Sequence, residues 1–240
     1  MRYSFPRKFV LLSSVFVFFP GFSQLSYNRT EVIHYKPAVS NYFSTIAYKI
    51  PFRGDNYKFY GTLSYHILGR AFASRQVHNT VVEAFRMSET DCPGVEFKLL
   101  KSSGKRFGQI VPDHKNKNGF YAVFMTPLSV GNTPMHHYFI SGLLRMFVVY
   151  DQNGESNLSE AIEIDFESTA EHLLNLDNAA KMYGLRLKKV ILSRFLLDDL
   201  YKTESGKQLL ERDIYFPKYL SRKLNRKYDD LYYVEFDFRE

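Results

Sequence analysis

The sequence predicts an α+β fold built around an aromatic-rich core, and three observations lead to it. Helix-like and strand-like stretches mix along the chain without the regular strand–helix–strand beat of a parallel sheet. The chain carries 22 Phe and 18 Tyr, which supply large apolar areas for a core. It has one cysteine, Cys92, so no internal disulfide can form and the fold must rest on that core.

The elements follow in order. Residues 1–23 read as an export signal. Arg2, Arg7 and Lys8 make a positive start, and 9–19 is a mostly apolar run. That run is about eleven residues, and a bilayer core needs about 20, so it is too short to span one. Pro20 and Gly21 break it, and Gly21 and Ser23 are small residues suited to a cut before Gln24. No cysteine follows the run to take a lipid, and no later stretch approaches 18 apolar residues in a row. The expectation is a periplasmic or secreted protein with no transmembrane anchor. Losing 23 of 240 residues leaves 217, and losing three cations with no acid lowers the formal charge from +7 to +4. A chain of this size buries roughly 70% of its unfolded surface. The mild positive charge suits acidic peptides or an anionic envelope surface and makes no nucleic-acid footprint. The basic runs at 101–106 and 222–227 are interrupted, in the manner of a solvated face.

Residues 24–50 are polar and weakly periodic, a loosely structured lead-in to a domain over 51–240. Apolar positions at Ile67, Leu68, Phe72, Val77, Val81, Val82 and Phe85 recur at helical spacing, predicting a helix over 65–87. Strands are predicted at 95–100, 120–125, 146–150 and 161–164, with turns at 92–94, 102–104 and 151–154. Asp165 is placed to cap a helix running to about Tyr183, because its carboxylate can accept from first-turn amides. Phe166, Ala170, Leu173, Leu174, Ala180 and Tyr183 give that helix an apolar stripe, and Gly184 ends it. A strand over 185–192 alternates before turning apolar at Val190. A helix spans roughly 195–210, its far end blurred by Gly206. A last strand, 232–238, sets Val234, Phe236 and Phe238 on one face and Tyr233, Glu235 and Asp237 on the other.

The residues alone carry no strong catalytic motif: no His-x-His, no HExxH, no phosphate loop and no GxSxG. His136 and His137 are adjacent, so in a strand they point apart and cannot easily share one ion. His172, inside a predicted helix, reads as a hydrogen-bonded histidine of the core or surface.

Longer stretches resemble a family. Residues 113–127, Asp-His-Lys-Asn-Lys-Asn-Gly-Phe-Tyr-Ala-Val-Phe-Met-Thr-Pro, are similar to the zinc-binding segment H-x-x-H-Q-N-G-x-x-x-D-F-M-x-P of penicillin-insensitive murein endopeptidases. Residues 164–167, 170–173 and 188–191 resemble that family's central region, and 229–236 its closing D-x-H-x-H-V-D-F. Residues 68–72 and 92–94 extend the likeness, which covers most of the chain after Pro51 in patches. The resemblance implies the fold of the hedgehog and D-Ala-D-Ala peptidase-like zinc enzymes, a small antiparallel sheet flanked by helices, with a groove across the sheet.

The same alignment implies that the zinc site is gone. The ligand positions fall on Asn116, Val123 and Tyr233, and the histidine acting as base falls on Leu231. Catalytic zinc takes about three N, O or S ligands and leaves a position for water. Valine and leucine coordinate nothing, and Asn and Tyr are poor zinc ligands. No cofactor is therefore expected, although zinc serves the related active enzymes. Asp113, His114, Tyr121 and Glu235 are the remaining candidate groove residues. The resemblance predicts a non-catalytic binder of peptidoglycan peptides; a hydrolase with relocated ligands and a protein-binding scaffold are the alternatives. Tyr233 would either stack on a ligand or fill the space an ion left.

Overall fold

In the strand β12 (Leu231–Phe238), successive side chains point to opposite faces of the sheet, and both faces are covered. Tyr232, Val234 and Phe236 enter the main core, while Tyr233 enters a smaller cluster on the other side. This computed structural model describes residues 46–104, 119–131, 133–135, 148–151, 153–157 and 159–239, with the backbone of 32–34. The segment read as an export signal lies outside the described residues.

β12 belongs to a five-stranded sheet that holds most of the core. From edge to edge its strands are β11 (Leu185–Ile191), β12, β6 (Tyr121–Met125), β5 (Phe97–Lys101) and β3 (Tyr57–Phe59). The first four pair antiparallel, but β3 joins β5 in parallel, so the sheet is mixed and not wholly antiparallel as predicted. A parallel pair needs a long crossover. The chain supplies one between Phe59 and Phe97: α1 (Thr62–His66), β4 (Phe72–Ala73) and α2 (Arg75–Asp91). With α3 (Phe166–Met182), α2 covers one face of the sheet. Val77, Val81, Ala84 and Phe85 from α2 meet Ala170, Leu173, Leu174 and Leu176 from α3 over Phe97, Leu99, Phe124 and Val234. Burying each such Val, Leu or Phe is worth ~1.5–3 kcal/mol.

Two smaller sheets complete an α+β fold. β1 (Val32–His34), β2 (Ile46–Lys49) and β4 form one, and β1 and β2 fall within the stretch read as a lead-in. β7 (Leu128–Val130), β8 (Thr133–Pro134), β9 (Glu155–Ser156) and β10 (Ser159–Ile164) form the other.

Local signals explain several boundaries. Asp165 caps α3 as predicted, its carboxylate accepting from the Ser168 amide at 2.9 Å, and Gly184 at φ 74° turns the chain out of it. Other boundaries correct the sequence reading. The helical spacing over 65–87 resolves into α1, β4 and α2: Gly69 at φ 57° breaks the run, and Ser74 then starts α2 by accepting from Val77 N. Ile67 and Leu68, two of the apolar positions at helical spacing, are exposed. The helix over 195–210 divides into a 3-10 turn (Arg194–Leu196), α4 (Leu197–Lys202) and α5 (Glu204–Leu210). Extended Thr203 separates the last two and caps α5, its hydroxyl accepting from Gly206 N at 3.0 Å. Gly206 therefore marks the start of a helix, not a ragged end. Of the strand predicted at 146–150, Val148 and Val149 join no ladder and Tyr150 makes one isolated bridge to Ser156; 146 and 147 lie outside the described residues. The basic run at 222–227 is itself a short helix, α6 (Arg222–Lys227), capped by Ser221.

Candidate outer-face site

The face of the main sheet opposite α2 and α3 is where the sequence-predicted site residues meet. β6 and β12 pair so that Val123 lies directly opposite Tyr233, and Tyr121 opposite Glu235. Val123, Tyr228 and Tyr233 are buried there, with Leu100, Tyr121, Ile191 and Leu231 packed half-buried around them. The Tyr121 and Tyr233 rings stack at 5.7 Å between centroids, a favourable offset arrangement for aromatic pairs. The Tyr121 hydroxyl donates to the Ser102 carbonyl at 3.1 Å, and the Ser102 hydroxyl returns a bond to the Tyr121 carbonyl at 2.7 Å. These two bonds tie the end of β5 to β6. The Tyr233 hydroxyl lies 3.4 Å from a Glu235 carboxylate oxygen. Burial, then the nearby Glu235 charge, pushes the Tyr233 phenol well above its ordinary pKa, so it stays protonated.

Five of the predicted residues, Val123, Tyr233, Leu231, Tyr121 and Glu235, thus share one face of two adjoining strands. Asn116, Asp113 and His114 lie outside the described residues, as do His136 and His137. The donor set that is described does not fit zinc. Val123 and Leu231 have no donor atom, and Tyr233 holds its proton. At 5% exposure Tyr233 is a packed side chain, which favours filling space over stacking on a ligand.

Two features of the cluster escaped sequence reasoning. Ile191 reaches this face because β11 carries an irregularity at 187–189 that switches which side its residues address. Without it, Leu187 and Val190 could not both enter the main core. Tyr228 arrives from the end of α6, a helix too short to leave a periodic trace. The neighbouring Asp229 has its carboxyl pushed up to about 6, first by burial and then by the adjacent Asp230 charge. At the same end of the sheet, the Asp230 carbonyl accepts from both the amide and the hydroxyl of Thr126, at 2.9 and 3.0 Å.

The other unusual titratable group serves the core. His172 is fully buried among Phe85, Phe97 and Phe124, with Nδ1 2.6 Å from the Tyr232 hydroxyl and Nε2 without a hydrogen-bond partner among the described residues. Burial lowers its pKa to about 3, so the ring is neutral near pH 7. Cys92 is buried as well, and burial pushes its thiol up to about 12, where it is no nucleophile. A scan of protein-family models and a search of curated proteins both find no match to this chain.

Proposed function

We propose that the chain is an exported, periplasmic or secreted, non-catalytic relative of the murein endopeptidases, with the hedgehog and D-Ala-D-Ala peptidase-like fold. It binds peptidoglycan peptides at the outer face of the main sheet. One observation carries this reading. Val123 and Tyr233, picked out by motif as former ligand positions, are cross-strand partners on one face, with Leu231 in the same cluster. A metal site needs its ligands convergent, and these positions converge with the donors replaced by apolar groups. Half-exposed Glu235, Tyr121 and Leu231 supply the remaining chemistry: a carboxylate for an amino group of the peptide and apolar surface for its methyl groups.

Purified protein incubated with sacculi tests the proposal. Co-sedimentation with no release of muropeptides over hours is the expected result, and Glu235→Lys should weaken it about tenfold, the cost of a charge-assisted bond. Released muropeptides would instead mean a hydrolase with relocated ligands. Failure to bind would leave a scaffold for a protein partner.

A further inference from the structure

Independently of that reading, we infer that α6 and the loop before it form a docking surface for an anionic lipid bilayer. The stretch 218–227 holds Lys218, Arg222, Lys223, Arg226 and Lys227 and no acidic residue. All five are exposed, and none takes part in an ion pair among the described residues. Helical geometry sets Arg222, Lys223, Arg226 and Lys227 within an arc of about 140°, with Leu224 and Asn225 opposite. Asn225 faces the body of the protein: its side-chain oxygen accepts from Arg194 N at 2.7 Å, and its amide donates to the Leu220 carbonyl at 3.2 Å. Arg222, Lys223 and Arg226 therefore point outward, and exposed Lys227 lies over the Tyr228 ring, its Nζ 5.2 Å from the centroid. Beside them, Tyr219 is 93% exposed and Tyr215 58%, the first being the most exposed large apolar side chain among the described residues.

An aromatic ring with a polar tip, set among exposed cations, matches the headgroup layer of an acidic membrane. Clusters of four to eight Lys or Arg are the electrostatic half of that recognition. A polynucleotide fits less well. Six helical residues span only about 9 Å, and the ends of the patch run into Asp229 and Asp230 on one side and, past Arg194, Asp198 and Asp199 on the other. Those carboxylates repel a phosphodiester strand that tracks along the surface, whereas a bilayer need touch only the projecting patch.

The test is vesicle sedimentation of the full chain at low salt, against phosphatidylcholine alone and against phosphatidylcholine with one third phosphatidylglycerol. Residues 9–19 are themselves apolar, so the measurement is the difference between proteins that share them. Arg222→Gln with Lys223→Gln should cut the anionic-over-neutral binding ratio about 25-fold, at roughly fivefold per charge near the surface. Tyr219→Ser should weaken binding to both vesicles severalfold. Both sites are exposed, so thermal unfolding should be unchanged, and that is measured alongside. An unchanged ratio in the double variant overturns the proposal. So does a wild type that ignores vesicles but binds a single-stranded oligonucleotide, which would assign the patch to nucleic acid.

Discussion

An imidazole placed among Phe85, Phe97 and Phe124 is held by one hydrogen bond, from or to Tyr232, itself wholly buried. Tyr232→Phe should cost ~1–3 kcal/mol in urea unfolding, because it strands a buried ring nitrogen. Adding His172→Leu removes the stranded group, so the double variant should be less destabilised than the two single changes summed. Additive losses would mean that the two side chains are not coupled. On the other face, Tyr233→Ala should lower stability by ~3–5 kcal/mol, as large-to-small changes in packed sites do. A loss below 1 kcal/mol would show that the ring projects to a ligand. Elemental analysis after dialysis should find well under one zinc per chain, because Val123, Leu231 and protonated Tyr233 offer no ligand set. A value near one would place a metal on other residues.

The short helices α5 and α6 each start at a side-chain cap. α5 starts where Thr203 accepts from Gly206 N, and Glu167 of α3 reaches across to accept from the Glu204 and Ser205 amides at 2.9 and 3.1 Å. Acceptors at a helix N-terminus satisfy free amides and complement the dipole, so this one carboxylate joins two helices. Gly206 has the opposite constraint: a Cβ there would sit 1.7 Å from the Leu200 carbonyl oxygen. Gly206→Ala should therefore cost at least ~1–3 kcal/mol through forced backbone movement, whereas Thr203→Ala should cost only ~1 kcal/mol for a lost cap. Equal midpoints in thermal melts of the two variants would contradict this ordering. Asp165 and Gly184 were legible as the ends of α3 because a cap and a turn glycine act within a few residues. The break at Thr203 was not, because the contact that demands it comes from the preceding helix.

For the whole molecule, two groups make stability depend on pH in opposite directions. His172 has a folded pKa of about 3 against the ordinary 6.5, so the unfolded chain binds the extra proton and stability falls as pH drops through 6.5 toward 3. From pH 7 to pH 4 this amounts to ~3 kcal/mol. Asp229 has a folded pKa of about 6 against 3.8, so its contribution is fullest below 3.8 and is lost as pH rises through 6. It therefore offsets part of the acid loss. Urea unfolding at pH 7 and pH 4 should show Asp229→Asn losing more stability on acidification than the wild type. An equal loss would remove Asp229 from the balance.

The amino-acid order by itself determined the α+β class, the limits of α3, the strands β6 and β12 and the lack of an internal disulfide, since each depends on periodicity, capping or composition. Of the candidate site, it singled out Val123, Leu231 and Tyr233 one by one. Only the tertiary structure decided that Val123 and Tyr233 stand opposite one another, which depends on strand register between distant segments. It likewise decided that Tyr233 is enclosed, and that an irregularity in β11 turns Ile191 to the same face. Alternation along a strand says that one side must be covered; what covers it, and whether the other side is covered too, is set by elements far along the chain.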